Sequence, residues 1–222
     1  WVITDDEAGD SGFTVERGQV SPDATRTIEW TGDERLAINI PADVVYDQQA
    51  ETPGITVSGA QSVVDRVRFS NGRLTLEEAS RGDRSYVRWT RTGIRGWSET
   101  DALKIIIKAP SVKAFDLSGP TELKIRGYDQ PSLDLTLTGS SDVRVQGRAE
   151  TVTVDVSGAG DARMDELIVD DAKVRVSGSG DVRVGPSGKA EVDVSGSGEV
   201  RLTRRPAELR QSVSGSGEGS QD

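Results

Sequence analysis

From Phe115 onward, apolar and polar residues alternate in short runs that break at regular intervals. Ahead of the breaks stand Leu133, Leu135 and Leu137, then Val152, Val154 and Val156, then Ala172, Val174 and Val176, then Ala190, Val192 and Val194. Behind them stand Val143 and Val145, Ala162 and Met164, Val182 and Val184, and Val200 and Leu202. A period of two puts each set on one face of a β-strand. Every break is a Ser–Gly or Thr–Gly pair. The hydroxyl residues are 118, 138, 157, 177, 195 and 214, so the spacings are 20, 19, 20, 18 and 19.

A period near 20 made of short strands predicts a stacked solenoid. The expected class is all-β: a parallel β-helix, right-handed, with ~20-residue coils of about three strands and three corners, stacked ~4.8 Å apart. The Ser/Thr–Gly pairs are one corner. Gly119, Gly139, Gly158, Gly178, Gly196 and Gly215 are expected there in backbone conformations costly for other residues. Pro110, Pro131, Pro186 and Pro206 mark a second corner, at strand starts where a missing N–H matters least.

The outward positions are ordered too. Four residues after each hydroxyl comes an acid: Glu122, Asp142, Asp161, Asp181, Glu199 and Glu218. Two further on comes a base: Lys124, Arg144, Arg163, Arg183 and Arg201. Stacking turns these into an acidic column beside a basic one, with diagonal attraction offsetting repulsion along each column. Such a stripe is either a site for a polymer or a self-neutralising, solvated face. The second reading is favoured, because exposed pairs are each worth only ~0–1 kcal/mol.

Residues 25–110 alternate less regularly and are expected to form early, distorted coils that cap the solenoid, continuous with 111–222 as one domain. Residues 1–24 read as a flexible leader and entry strand. Ile55-Thr-Val-Ser-Gly59 looks like one more corner, because Ser58 precedes Ser118 by three periods. Asn71-Gly72 between Val63–Phe69 and Arg73–Leu76 is a strong hairpin signal. The segment 81–97 gathers arginines and aromatics. Arg84, Tyr86, Arg88, Trp89 and Arg91 in it are candidate partner-binding residues for an anionic glycan or polar protein surface. The same pattern fits a hairpin with aromatics packed under the cap and arginines outside.

Composition narrows the chemistry. With 27 basic and 37 acidic residues, the net charge of −10 disfavours nucleic acid as a partner. The absence of Cys and His removes disulfides, thiolate and imidazole chemistry and ordinary zinc sites. No Ser–His–acid triad can form, and no GxxxxGK[ST] phosphate loop occurs. The acids form a regular ladder, whereas a glycoside-cleaving pair would sit in an irregular cleft. A polysaccharide lyase or hydrolase remains the alternative, on fold analogy alone. No cofactor or metal is expected. Ile105–Ile107, the longest apolar run, is far too short to span a bilayer. The chain begins at Trp1, so a signal or anchor is expected to have preceded it. Gly219 and Gln221 stand where earlier copies carry Val and Leu, which suggests a frayed polar end and favours a monomer.

The SGSGD/E–apolar–Arg–apolar repeats resemble those of the GIN-domain family, the putative auto-transporter adhesin head domains of bacterial envelope proteins. Trp30-Thr-Gly-Asp-Glu-Arg-Leu36, Ile38-Asn-Ile-Pro41, Val57-Ser-Gly59, Asn71-Gly-Arg-Leu74, and Leu103–Pro110 leading into Leu117-Ser-Gly119 extend the likeness over 25–219. The resemblance implies a β-helical protein exported to the periplasm or cell surface. It transfers no site residues. The expected role is a non-enzymatic structural or adhesion module of the cell envelope with a protein or glycan partner.

Overall fold

The computed structural model describes residues 22–31, 34–78, 85–90, 93–98 and 103–221, and of 85–90 and 93–98 only the backbone. The solenoid makes about five turns of ~20-residue coils. Its strands run in order: β1 Asp23–Ile28, β2 Arg35–Asn39, β3 Asp43–Asp47 and β4 Gly54–Ala60. A single helical turn follows, α1 Gln61–Val64, then β5 Val67–Ser70, β6 Arg73–Leu76, β7 Ser85–Thr90, β8 Gly93–Ser98, β9 Lys104–Lys108 and β10 Ala114–Leu117. The long strands are β11 Glu122–Leu137, β12 Asp142–Val156 and β13 Asp161–Val176. The last are β14 Val182–Pro186, β15 Lys189–Val194, β16 Glu199–Leu202, β17 Glu208–Val213 and β18 Glu218–Gln221. All but β7 and β8 belong to one 16-stranded sheet.

Each alternating run becomes a strand with its apolar face inward. Leu133, Leu135, Leu137, Val152, Val154, Val156, Val174, Val192 and Val200 are all at most 2% exposed. The pairs are parallel and like stacks on like: Leu135 on Val154, Val154 on Val174, Val174 on Val192. No coil covers its own core. Each strand is buried only because neighbours lie above and below, and the stacking energy is therefore shared between coils.

Three central coils are simpler than three strands and three corners: β11, β12 and β13 run unbroken from one Ser/Thr–Gly corner to the next, and Pro131 lies inside β11, whereas Pro110, Pro186 and Pro206 do stand at breaks between strands. The second bend is a register shift within the ladder, between Ile125 and Tyr128 and again between Arg144 and Gln146. In these coils the difference in length is absorbed there, and beside Pro186 a further shift follows between Val169 and Ala172. Leu137 pairs with Val156 and, beyond the corner, Asp142 with Asp161, an offset of 19 on both sides. Val176 with Val194 and Val182 with Val200 keep an offset of 18 in the same way. The offset stays constant across the Ser/Thr–Gly corner, where glycine rests on glycine, whereas the bend carries the bulges, even though Gly147 there also lies against the Tyr128 backbone. A glycine inserted after Gln146 is therefore expected to cost under about 1 kcal/mol, and one inserted between Gly139 and Ser140 about 2–3 kcal/mol. Urea denaturation of both variants checks this, and equal losses would overturn the account.

The cap does not stack in chain order. β2 and β3 form a coil that lies between β6 and β9 on one side and β10 and β11 on the other. The chain thus builds one coil, then the coil beneath it, then steps over to the coil above. Asn71 (φ 49) and Gly72 (φ 69) form the turn of the antiparallel β5–β6 hairpin. Both residues need positive φ, which is why Asn-Gly stands there. Ser58–Gly59 is not a corner. Both residues lie inside β4, which runs antiparallel to β9 and to β1, so the parallel stacking of coils ends at β9. A separation of three periods from Ser118 fits a coil, but strand direction decides the matter. The hairpin β7–β8 leaves the stack between β6 and β9, at the place where the coil above has its corner.

Candidate functional site

The corner residues are occupied by the stack itself. The N–H groups of Thr138, Ser157, Ser177, Ser195 and Ser214 each donate to a carbonyl of the coil below, at 2.7–3.0 Å. Their hydroxyls reach the same carbonyls, from 3.1 Å at Thr138 to 3.5 Å at Ser157, Ser195 and Ser214, which adds little. Of the six corner glycines, only Gly119 (φ +110) and Gly215 (φ +114) take the left-handed conformation expected of them all. Gly139, Gly158, Gly178 and Gly196 are needed for a different reason. A Cβ on any of them would collide with backbone atoms of the glycine beneath. The second glycines, Gly160, Gly180 and Gly198, are constrained in the same way.

Inside the joint between cap and solenoid lies an aromatic cluster. The Tyr46 hydroxyl donates to the Ala109 carbonyl at 2.6 Å and accepts from the Val112 N–H at 3.3 Å. Burial pushes the Tyr46 phenol up to about 12, with the Val112 bond pulling the other way. Phe115 meets Tyr46 edge-on, ring centres 5.1 Å apart. Burial also raises the Tyr128 phenol, whose hydroxyl donates to the Ser132 carbonyl at 2.5 Å. Tyr46 holds the chain at Ala109 and Val112, where it steps over between coils. These groups are not exposed to a ligand.

On the outside, the acid and base columns are in register: Glu122, Asp142 and Asp161, beside Lys124, Arg144, Arg163, Arg183 and Arg201. Glu122 takes Lys124 at 3.1 Å and Arg144 of the next coil at 2.5 Å. Hydrogen bonds from Lys124 and then Arg144 hold its carboxyl below the usual range. Arg163 pairs with Asp161 at 3.2 Å and Arg201 with Glu199 at 2.8 Å. Asp161 and Asp181 also each accept a backbone N–H of the coil above, from Asp181 and Glu199. Much of the ladder therefore serves the stack.

The regularity fails at the bulged bend, and a groove opens there. Its volume is about 320 Å³, and Lys124, Arg126, Arg144, Arg163 and Gln146 line it, with Ile125 and Val145 at its base. Asp165 and Glu166 also line it. The register shifts deliver Arg126, Gln146 and Glu166 to this place, the usual effect of a bulge on side-chain direction. Glu122 and Asp161 fix Lys124, Arg144 and Arg163, while Arg126 has no polar partner among the described residues and is exposed. Further recesses lie along the outside. One is lined by Asp43, Glu122 and Asp142 at the corner, another by Asp155, Arg175 and Asp193, and a third by Glu34, Arg35, Arg73 and Asp116. No group of three or more metal-ligating side chains is found among the described residues.

Of the partner-binding candidates, Arg84 and Arg91 lie outside the described residues. Tyr86, Arg88 and Trp89 fall on β7, opposite Trp97, Arg95 and Ile94 on β8, with their side chains outside the description. Arg126, Gln146, Asp165 and Glu166 were missed by sequence reasoning. The available signal was the variation of coil length, since an insertion must fall somewhere and brings irregular side chains with it.

A family model described as "Putative auto-transporter adhesin, head GIN domain" matches residues 34–206. No curated protein matches the sequence. Among solved structures, a putative adhesin of Bacteroides fragilis aligns over 90% of this chain and 97% of its own, with 15% identity and a TM-score of 0.66. A putative lipid binding protein of Parabacteroides distasonis (17% identity, 90% and 96% coverage, TM-score 0.49) also aligns. So does a putative adhesin of Parabacteroides merdae (15% identity, 90% and 96% coverage, TM-score 0.48). At these identities the likeness is one of fold.

Proposed function

Because the chain belongs to the putative auto-transporter adhesin, head GIN domain family, we propose that it is a non-enzymatic interaction module of the bacterial envelope, working in the periplasm or at the cell surface. It presents a rigid stack to a protein or glycan partner. The observation that carries this reading is the division of labour along the ladder. Corner hydroxyls and glycines, inward Val and Leu, and many of the outward acids and bases are each engaged in holding coil to coil. A surface so committed suits a rigid template better than a catalytic centre, which needs groups poised and free to exchange protons. Among the described residues, no helix is long and apolar enough to cross a membrane.

The hairpin β7–β8 extends the same reading. It leaves the stack at a corner position and carries Tyr86, Arg88 and Trp89 on one strand, flanked in sequence by Arg84 and Arg91. Aromatic and arginine residues grouped on an insertion are well suited to a second contact with a partner. The test is to pass the immobilised protein over arrays of bacterial envelope glycans and envelope proteins, with mass analysis of whatever is retained. Saturable, reversible retention of an unaltered ligand is expected. Turnover of a glycan without stable retention would overturn the reading in favour of an enzyme.

A further inference from the structure

We propose that the bulged groove is a binding site for a linear, uronate-bearing polysaccharide lying along the stack. The proposal rests on the interaction-module reading and names its site and ligand class. Four cationic side chains, Lys124, Arg126, Arg144 and Arg163, line the groove with Asp165 and Glu166, and three of the four are paired with Glu122 or Asp161, so the site offers mixed, ordered charge and, among the described residues, one unpaired cation, Arg126. Lys124, Arg144 and Arg163 come from three successive coils in direct register. Cations therefore recur every ~4.8 Å along it, comparable to the length of one pyranose unit in an extended chain. Glu122 and Asp161 hold three of these cations from outside, so little side-chain entropy remains to be lost on binding. Arg126, without a partner among the described residues, is free to take a ligand carboxylate through two parallel N–H bonds.

The rest of the lining favours a sugar over other polyanions. Asp165 and Glu166 accept hydroxyl donors, which a sugar ring supplies and polyglutamate lacks, and Gln146 both donates and accepts. β12, which crosses the groove, is paired on both sides by β11 and β13, so it offers no open edge on which a peptide could add as a strand. No aromatic side chain lines the groove, and single-stranded nucleic acid would need one for stacking.

The test uses the intact chain and polygalacturonate, with neutral dextran and polyglutamate as comparisons, by calorimetric titration. Polygalacturonate is expected to bind, a trimer of galacturonate to retain most of that affinity, and dextran not to bind. Arg126→Glu combined with Arg144→Gln is expected to weaken binding at least tenfold. Arg175→Glu, on the other arm, should change it less than twofold. Arg126→Gln alone breaks no side-chain hydrogen bond or ion pair among the described residues and sets no acid opposite Asp47, and an unchanged melting temperature with a several-fold loss of binding supports the site without a folding defect. Equal binding of dextran, equal binding of polyglutamate, or indifference to the groove substitutions would overturn the proposal. Failure of polygalacturonate to bind also overturns it. If the arrays retain another ligand in that case, the interaction-module reading stands. Shortening of glycans without retention overturns the broader reading.

Discussion

Gly178→Ala is expected to destabilise the protein by about 3 kcal/mol or more, among the largest losses available from adding one methyl group. The new Cβ would press on the carbonyl oxygen of Gly158, and that carbonyl is the acceptor for the Ser179 N–H at 3.0 Å. Both obstacles are backbone, so no side chain can turn aside. Relief requires two coils to part, which also loosens the bond from Ser177 N–H to Val156 at 2.8 Å. For a chain of this size the melting temperature should fall by roughly 6–12 °C. Gly119→Ala provides the contrast. There φ is +110, but the nearest atom to an added Cβ is Asn39 Oδ1 at 3.6 Å. Backbone strain alone predicts a cost of about 1–2 kcal/mol. Chemical denaturation of the two variants separates the effects. A neutral Gly178→Ala, or a larger loss at Gly119, would refute the stacking explanation.

Phe115→Ala should cost about 3–5 kcal/mol. Phe115 is fully buried and sits in register between Leu36 of β2 and Leu135 of β11. It is therefore packed at the place where the chain, having built the coil below, steps over to begin the regular stack. Its edge contact with Tyr46 adds to burial, and Tyr46 in turn ties Ala109 and Val112 of the crossing segment. The loss should be local in its first consequence. Hydrogen exchange is expected to accelerate in 35–47 and 104–117 before it does so in β12 and β13, because repeat stacks lose stability interface by interface. Phe115→Leu, which keeps most of the apolar volume, should lose about 1–1.5 kcal/mol. Uniform exchange along the chain, or a loss below about 1 kcal/mol for the alanine variant, would show that the joint is not where cap and solenoid are held together.

Alternation and period together made the regular solenoid legible. A strand whose every second residue is Val or Leu has one apolar face, and a repeat of 18 to 20 residues lets each such face be covered only by the next. The inward residues from Leu133 to Leu202 follow directly. The acid and base columns were equally legible, because register carries a fixed offset into space. The N-terminal half was only partly so. Asn71-Gly72 announced its turn, since that dipeptide tolerates positive φ at both positions. Ser58–Gly59 misled, because a short motif carries no information on whether its strand runs with or against the ladder.

The candidate groove shows the same boundary from the other side. Lys124, Arg144 and Arg163 were visible as a column, while Arg126, Gln146, Asp165 and Glu166 belonged to no repeating position. Only the bulges that absorb one residue here and there bring them together, and where a bulge falls depends on which segment can yield.

The sequence by itself thus determined the strand faces, the coil length and the charged columns, because these depend on near neighbours and on a constant offset. Tertiary structure alone decided the order in which the cap coils stack, why the corner must be glycine, and where a groove could open. Each of those depends on which backbone lies against which, and contacts between segments distant in sequence leave no periodic trace.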